Sequence, residues 1–539
     1  MTALQDGNCY DFIVAGAGSA GCVLANRLSA DQSKRVLLLE AGGRDWYPWI
    51  HVPVGYFKTL HNPLTDWAYK TESDPGLNGR SIDWPRGRTL GGSSSINGLL
   101  YVRGQREDYD HWRQLGNAGW SYEDVLPYFK RSEDQENGAN EYHGIGGYLS
   151  VQNMRAKRKI CEALIDAAVE LGIPRNNDYN GASQEGAAYY QQTARKGFRC
   201  STAVAFLNPV RNRPNLDIVT HALIDKVTIE QGVATGIKVL RKGDPRTYAL
   251  KPGGEVILSA GAIGSPQILQ LSGIGPGELL QRFGIEVVKE LPSVGRNLQD
   301  HLQIRTVYEV NVPTLNEEIN NLIRRMLIGL QYVLTRGGPM SMGASQVAIF
   351  CKTRPELETP DIQYHFQPLS ADKPGIVMHP FPGITMSVCQ LRPESKGHIE
   401  IQSPDPTVYP AIHPNYLSTT RDQQTVVDAL KMTRRLVGTS ALKPFIVREH
   451  LPGPEVDTDE GLLDSARNIA QTIYHPTSTC RMGSDSNSVV DDRLRVHGIK
   501  GLRVADASIM PAIVSGNTNA PTIMIGEKAS DMVLEDRRA

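Results

Sequence analysis

The sequence predicts an α/β protein in which a parallel-stranded unit is interleaved with an α+β unit built on an antiparallel sheet. Three observations carry this expectation. The apolar run Tyr10-Asp-Phe-Ile-Val14 leads through Gly16-Ala-Gly18-Ser-Ala-Gly21 into a helical pattern, then into a second apolar run that ends in Glu40. The middle of the chain instead shows strand-like alternation. At 539 residues the chain exceeds one hydrophobic core, since a domain takes roughly 100–200 residues.

In chain order, Tyr10 to Val14 reads as a buried parallel strand, because a continuous apolar run bounded by glycines suits a strand covered on both faces. Val23, Leu24 and Leu28 follow at helical spacing, and Val36 to Leu39 forms the second strand. Strand, glycine turn, helix, strand and terminal acid make a right-handed βαβ crossover, and hence a Rossmann-like parallel sheet. Further on, Asp361-Ile-Gln-Tyr-His-Phe-Gln367 sets Ile362, Tyr364 and Phe366 on one strand face and Gln363, His365 and Gln367 on the other. Gly383 to Leu391 and His398 to Gln402 read as further strands around a turn at Pro393 to Gly397, which predicts the antiparallel sheet. Leu502-Arg-Val-Ala505, before Asp506, is a last short parallel strand, and Pro521 opens an apolar-periodic helix through Ile525, Ala529 and Val533. The C-terminus is thus expected to return to the first unit. The resulting division is discontinuous: 8–155, 200–305 and 485–539 in the dinucleotide-type unit, 156–199 and 306–484 in the α+β unit.

Lysine plus arginine number 57 against 58 acidic residues, a formal net charge of −1, which removes the overall electrostatic case for a nucleic-acid binder. No apolar run approaches the roughly 18 residues of a spanning helix. The N-terminus lacks the basic-then-apolar order of an export signal. A cytoplasmic protein is expected, with attachment to a membrane surface left open. Seven scattered cysteines without CxxC spacing predict neither a disulfide framework nor a metal site.

The glycine turn carries the first chemistry. Gly16 permits the tight turn, Gly18 lets the backbone approach a pyrophosphate, and Gly21 allows close helix–strand packing. The helix N-terminus then offers unpaired N–H groups to the phosphates. Glu40, at its strand end, is placed to accept hydrogen bonds from ribose hydroxyls. These features fit FAD and NAD equally.

Longer segments separate the two. Gly87-Arg-Thr-Leu-Gly91-Gly-Ser-Ser-Ser-Ile-Asn97-Gly-Leu-Leu-Tyr-Val-Arg-Gly104 and Gly261-Ala-Ile-Gly-Ser-Pro266-Gln-Ile-Leu-Gln-Leu-Ser-Gly273-Ile-Gly275 resemble the two signature segments of the glucose-methanol-choline (GMC) oxidoreductases. Val294-Gly-Arg-Asn-Leu-Gln-Asp-His301, His475-Pro476 and Gly516-Asn-Thr-Asn-Ala-Pro521 follow in the family's order, with the flavour of its bacterial choline and alkanol dehydrogenases. The resemblance implies an extended FAD whose flavin lies under the antiparallel unit. It implies cofactor contacts at Gly16, Gly18, Ser19, Gly21, Glu40, Leu90, Gly91, Asn97, Val227, Asp506, Asn517 and Thr518. Gly91 and Gly92 would let backbone approach a flat ring, and Asn97 would close their loop. Two readings stand for Val227, an adenine contact or a strand-core valine, and two for Asp506, a pyrophosphate or ribityl contact or an N-cap. The Gly91–Asn97 loop has no histidine to bond the flavin, so FAD is expected to be noncovalent.

The resemblance also implies a catalytic pair, His475 and Asn517. Alcohol oxidation removes a hydroxyl proton while hydride leaves carbon for flavin N5. Neutral imidazole, of reference pKa about 6.5, suits the proton. An asparagine amide suits the developing alkoxide, or else caps the Pro521 helix. Tyr474 and Cys480 are expected to pack, His301 to be structural, and His365 to be a lesser candidate for substrate contact. The expected reaction is primary alcohol to aldehyde, with a quinone, another carrier or oxygen as acceptor. Choline is disfavoured as substrate because no segment plainly supplies an aromatic or acidic cage. Rival readings are choline dehydrogenase, oxygen-using alcohol oxidase, flavin-bearing hydroxynitrile lyase, NAD-dependent dehydrogenase and a catalytically silent flavin module.

Overall fold

Two seven-stranded sheets organise the chain. The computed structural model describes residues 9–371 and 378–537. In the first sheet, strands Leu216–Val219, Val36–Leu39, Cys9–Ala15 and the distal half of Asp244–Leu258 lie side by side in parallel, and Leu502–Val504 pairs parallel beyond them. The predicted βαβ unit is present as Cys9–Ala15, helix Ser19–Leu28 and Val36–Leu39. Its strands carry fully buried Phe12, Ile13, Val14 and Leu37 to Leu39, each such side chain contributing roughly 1.5–3 kcal/mol by leaving water.

The sheet is mixed, where a parallel one was expected. Ala222–Glu230, Val233–Arg241 and the proximal half of Asp244–Leu258 form an antiparallel meander grafted onto its edge. Its two turns, Gln231-Gly232 and Lys242-Gly243, both hold positive φ at both residues, the requirement of tight primed hairpin turns.

The second sheet is antiparallel throughout, in the order Ile446–Leu451, Leu302–Val310, Gly383–Gln390, Ile362–Gln367, Val347–Cys351, Gly186–Tyr189, with Gln471–Thr472 also pairing with Leu302–Val310. Ile362, Tyr364 and Phe366 are fully buried and share one core with Val426 and Leu430 of helix Thr420–Val437, where the Tyr364 hydroxyl lies 3.2 Å from the Ala429 carbonyl. Predicted strand His398–Gln402 stands outside this sheet. Only His398–Glu400 is extended, and it pairs with Ala411–His413 in a separate ribbon.

The last helix runs Asn519–Asp536, so Pro521 sits in its first turn and does not open it. It packs on the first helix: Ser19 Oγ donates to Asn519 Oδ1 (2.8 Å), and Arg27 makes a forked pair with the fully buried Glu527 (2.9 and 2.7 Å). Among the described residues, no helix is long and apolar enough to cross a membrane.

Candidate active site

The second sheet places the two histidines of the site. Gln471–Thr472 pairs antiparallel with Leu302–Gln303, which sets the residues just before Leu302 beside those just after Thr472. Asp300 then holds the following loop: its Oδ1 accepts from the His475 backbone N–H (2.7 Å), and its Oδ2 accepts from Thr472 Oγ1 (2.6 Å) and the Tyr416 hydroxyl. The chain reaches His475 through Tyr474 at φ +69°, a left-handed conformation that costs a tyrosine energy and is held here by the surrounding bonds.

The ring nitrogens form a directed series. His301 Nε2 lies 3.0 Å from the Leu391 carbonyl, which can only accept, so Nε2 carries the proton. Burial depresses His301 to about 4, so its ring is neutral and its Nδ1 has a lone pair. His475 Nδ1, 3.0 Å away, therefore donates to it, and His475 Nε2 is left unprotonated. Burial, then the electrostatic influence of neighbouring His301, His365 and Arg86, holds His475 well below the ordinary imidazole value. The fold thus keeps His475 neutral further into the acid range than the reference imidazole value would. His301, expected to be merely structural, fixes the tautomer of its neighbour.

Asn517 Nδ2 donates to His475 Nε2 (3.1 Å), and its Oδ1 accepts from Gln363 Nε2 (3.1 Å), which also donates to the Tyr190 hydroxyl (2.8 Å). Gln363 thus orients the amide so that a donor faces the base. His365 follows on the same strand face, its ring stacked on Tyr190 (5.5 Å) and both ring nitrogens buried beside Asn517. Burial lowers it to about 3. Gln363 went unassigned in the sequence, although its alternation with Tyr364 had already put it on the polar face.

This pair opens on a cleft that also runs along the first sheet. Gly16, Gly18, Ser19, Glu40, Asn97, Asp506, Asn517 and Thr518 all line it. A Cβ on Gly21 would stand 1.8 Å from the Gly16 carbonyl, and one on Gly16 2.4 Å from the Ser259 carbonyl, so both glycines are required by the protein itself. A Cβ on Gly18 would meet only the Ser259 carbonyl at 3.8 Å, so the room it leaves belongs to a ligand. The residues present therefore fit a dinucleotide such as FAD.

Other predicted contacts are differently disposed. Leu90, Gly91 and Val227 do not line the cleft. Gly91 donates to the Ala17 carbonyl (2.8 Å), and a Cβ on Gly92 would lie 2.7 Å from Gly18 Cα, so these glycines serve the approach of two loops to one another. Val227 is a buried strand residue whose N–H donates to Ser272 Oγ (2.9 Å), while Leu223 and Ile224 line the cleft nearby. Glu40 has both oxygens engaged, Oε2 by Ala17 N–H (3.1 Å) and Oε1 by Gly42 N–H (2.8 Å), and burial raises it to about 7. Asp506 accepts from Ser508 N–H (2.8 Å) as an N-cap and from Gly261 N–H (2.8 Å) and Ser265 Oγ (2.6 Å), holding the start of helix Gly261–Leu271 at the cleft. Asn97 closes its loop through Leu99 N–H (3.0 Å) and the buried Arg199 Nη1 (2.7 Å). Cys480 is fully buried, its thiol pushed far up by burial, and Tyr474 lines the cleft with its hydroxyl raised to about 12 by burial.

Sequence profiles of GMC oxidoreductases match residues 10–303 and 393–526. The alcohol dehydrogenase [acceptor] of Pseudomonas putida is 44% identical over 97% of this chain and 96% of its own, and the oxygen-dependent choline dehydrogenase of Cronobacter sakazakii is 43% identical over 97% and 95%. A formate oxidase structure from Aspergillus oryzae, concerned with FAD modification, superposes with a TM-score of 0.91 at 27% identity, over 99% of this chain and 100% of that one. The histidine series, the dinucleotide cleft and these full-length likenesses agree that the chain belongs to the GMC oxidoreductase family.

Proposed function

We propose that this chain oxidises a neutral primary alcohol to the aldehyde with noncovalently held FAD, and delivers the electrons to a quinone-like carrier faster than to oxygen. The observation that carries the reading is the series Leu391, His301, His475, Asn517, which ends on an unprotonated His475 Nε2 beside an amide donor. Gly16, Gly18, Ser19, Asn97, Asp506 and Thr518 would hold the cofactor, whose chemistry is to accept hydride from the alcohol carbon. His475 Nε2 takes the hydroxyl proton. Asn517 Nδ2 donates to the developing alkoxide, oriented beforehand by Gln363. His301 Nδ1 keeps accepting from His475 Nδ1–H and so steadies the imidazolium. His365, which lines the cleft beside Asn517, is the substrate's further polar contact.

The lining cations support a neutral substrate. Arg86 and Arg305 both face the cleft, and their charge opposes a quaternary ammonium. The name of the Pseudomonas putida relative supports an alcohol and a separate acceptor. A second reading, choline, rests on the stacked Trp67–Tyr69 wall (5.6 Å) and on the Cronobacter sakazakii relative. Anaerobic stopped-flow with an alcohol panel decides between them: neutral alcohols are expected to bleach the flavin, and bleaching by choline alone would overturn the substrate class. Absence of bleaching by any converted substrate would instead point to a lyase. Reoxidation by a quinone analogue is then expected to outpace that by oxygen, and the reverse order would make the protein an oxidase.

A further inference from the structure

Of the fourteen residues in helix Leu322–Thr335, only Tyr332 is buried. Seven of its large apolar side chains, among them Ile323, Met326, Leu327, Leu330 and Leu334, are each more than half exposed. At 100° per residue these seven fill an arc of about 140°, and Tyr332 points the other way. Through its hydroxyl Tyr332 donates to the Gly197 carbonyl (2.9 Å) and ties the helix to the body. The charges are one-signed. Arg324 and Arg325 stand in the first turn and Arg336 just past the end, all exposed, and the helix contains no acidic residue. The acids of the preceding helix, Leu315–Asn320, are engaged elsewhere: Glu317 caps the Thr314 N–H (3.2 Å), and Glu318 forks onto Arg158 (3.0 and 2.8 Å).

We propose that this helix seats the enzyme on an anionic phospholipid surface, its apolar arc in the acyl boundary and its arginines at the phosphates. At about 1.5 Å per residue it is far too short to span a bilayer, and it has the composition of an interfacial helix. Charge complementarity selects lipid over a second copy. Cations at both ends put like charges together whether two such helices pair parallel or antiparallel, whereas an anionic headgroup layer complements both ends at once. The preceding helix packs Leu315 and Ile319 with Tyr56 and Phe57, two cleft-lining residues, so the seated face adjoins the cleft's aromatic wall. The proposal stands independently of which alcohol or acceptor the site takes.

The test is cosedimentation of the full holoenzyme with phosphatidylcholine vesicles, with and without phosphatidylglycerol. Salt-sensitive binding to the anionic vesicles is expected. Arg324→Gln and Arg325→Gln should each weaken it roughly fivefold. The double variant Leu327→Glu/Leu330→Glu should weaken it by at least about tenfold, while activity with a soluble dye acceptor stays unchanged, which shows that the variant is folded. No binding by the parent, equal binding by the double variant, or a parent dimer that the double variant splits to monomers on gel filtration would each overturn the proposal.

Discussion

His475 owes its state to two residues adjacent to each other in the chain, Asp300 on its backbone and His301 on its ring. His475→Ala is expected to retain FAD yet slow anaerobic flavin reduction by about 10²–10⁴, the range for losing a general base; reduction at the parent rate would remove it from the mechanism. Because His475 is held well below the ordinary imidazole value, the parent's reduction rate should be flat with pH from about 6.5 upward and fall only under more acidic conditions. His301→Ala should slow reduction, since the ring loses the acceptor that steadies its imidazolium, and should move that acid limb, since His301 is also a neighbour that lowers the ring's proton affinity. His301→Gln, with an acceptor and a donor on one side chain, should recover part of the rate. A limb unmoved in His301→Ala would return His301 to a packing role. His475 and Asn517 were legible because each sits in a short recognisable motif. The role of His301 was not, because its partner lies 174 residues away and spacing in the chain says nothing of a contact made across a sheet.

The three fingerprint glycines, usually cited together, separate in this structure. Gly21→Ala should destabilise the protein whether or not FAD is bound, since the new Cβ would stand 1.8 Å from a backbone carbonyl. Gly18→Val should leave the apo protein's melting temperature nearly unchanged and expel FAD, because only the ligand needs that space. Flavin absorbance after gel filtration, with the apo melting curve, checks both; retained flavin in Gly18→Val would show that this turn does not cradle the cofactor. The first βαβ unit was legible because apolar runs and glycines punctuate it cleanly. The antiparallel meander on its edge was not, because its turns use Gln231 and Lys242 at positive φ, where a sequence reading looks for asparagine, aspartate or glycine.

At the scale of the whole molecule, three buried neutral histidines make the fold acid-sensitive. The unfolded chain takes protons on His301, His365 and His475 as pH falls below about 6.5, while the folded protein holds them neutral down to about 4 for His301, about 3 for His365, and well below the ordinary value for His475. With more protons on the unfolded state, stability should decline progressively from about pH 6.5 downward. His365→Phe should shallow that decline in urea midpoints measured against pH, and an identical slope would assign the decline to other groups. The pairing of the first helix with the last has a consequence in time. Ser19 meets Asn519, and Arg27 meets Glu527, each across 500 residues. Ribosomes add roughly 5–20 residues per second, so the first helix waits on the order of 25–100 s for the partner that covers it. A nascent chain stopped short of Asn519 would leave Ala20 and Val23, which lie against Gly526, uncovered and the cleft without Asn517 and Thr518 properly seated. Cofactor binding is therefore expected only once helix Asn519–Asp536 has been made.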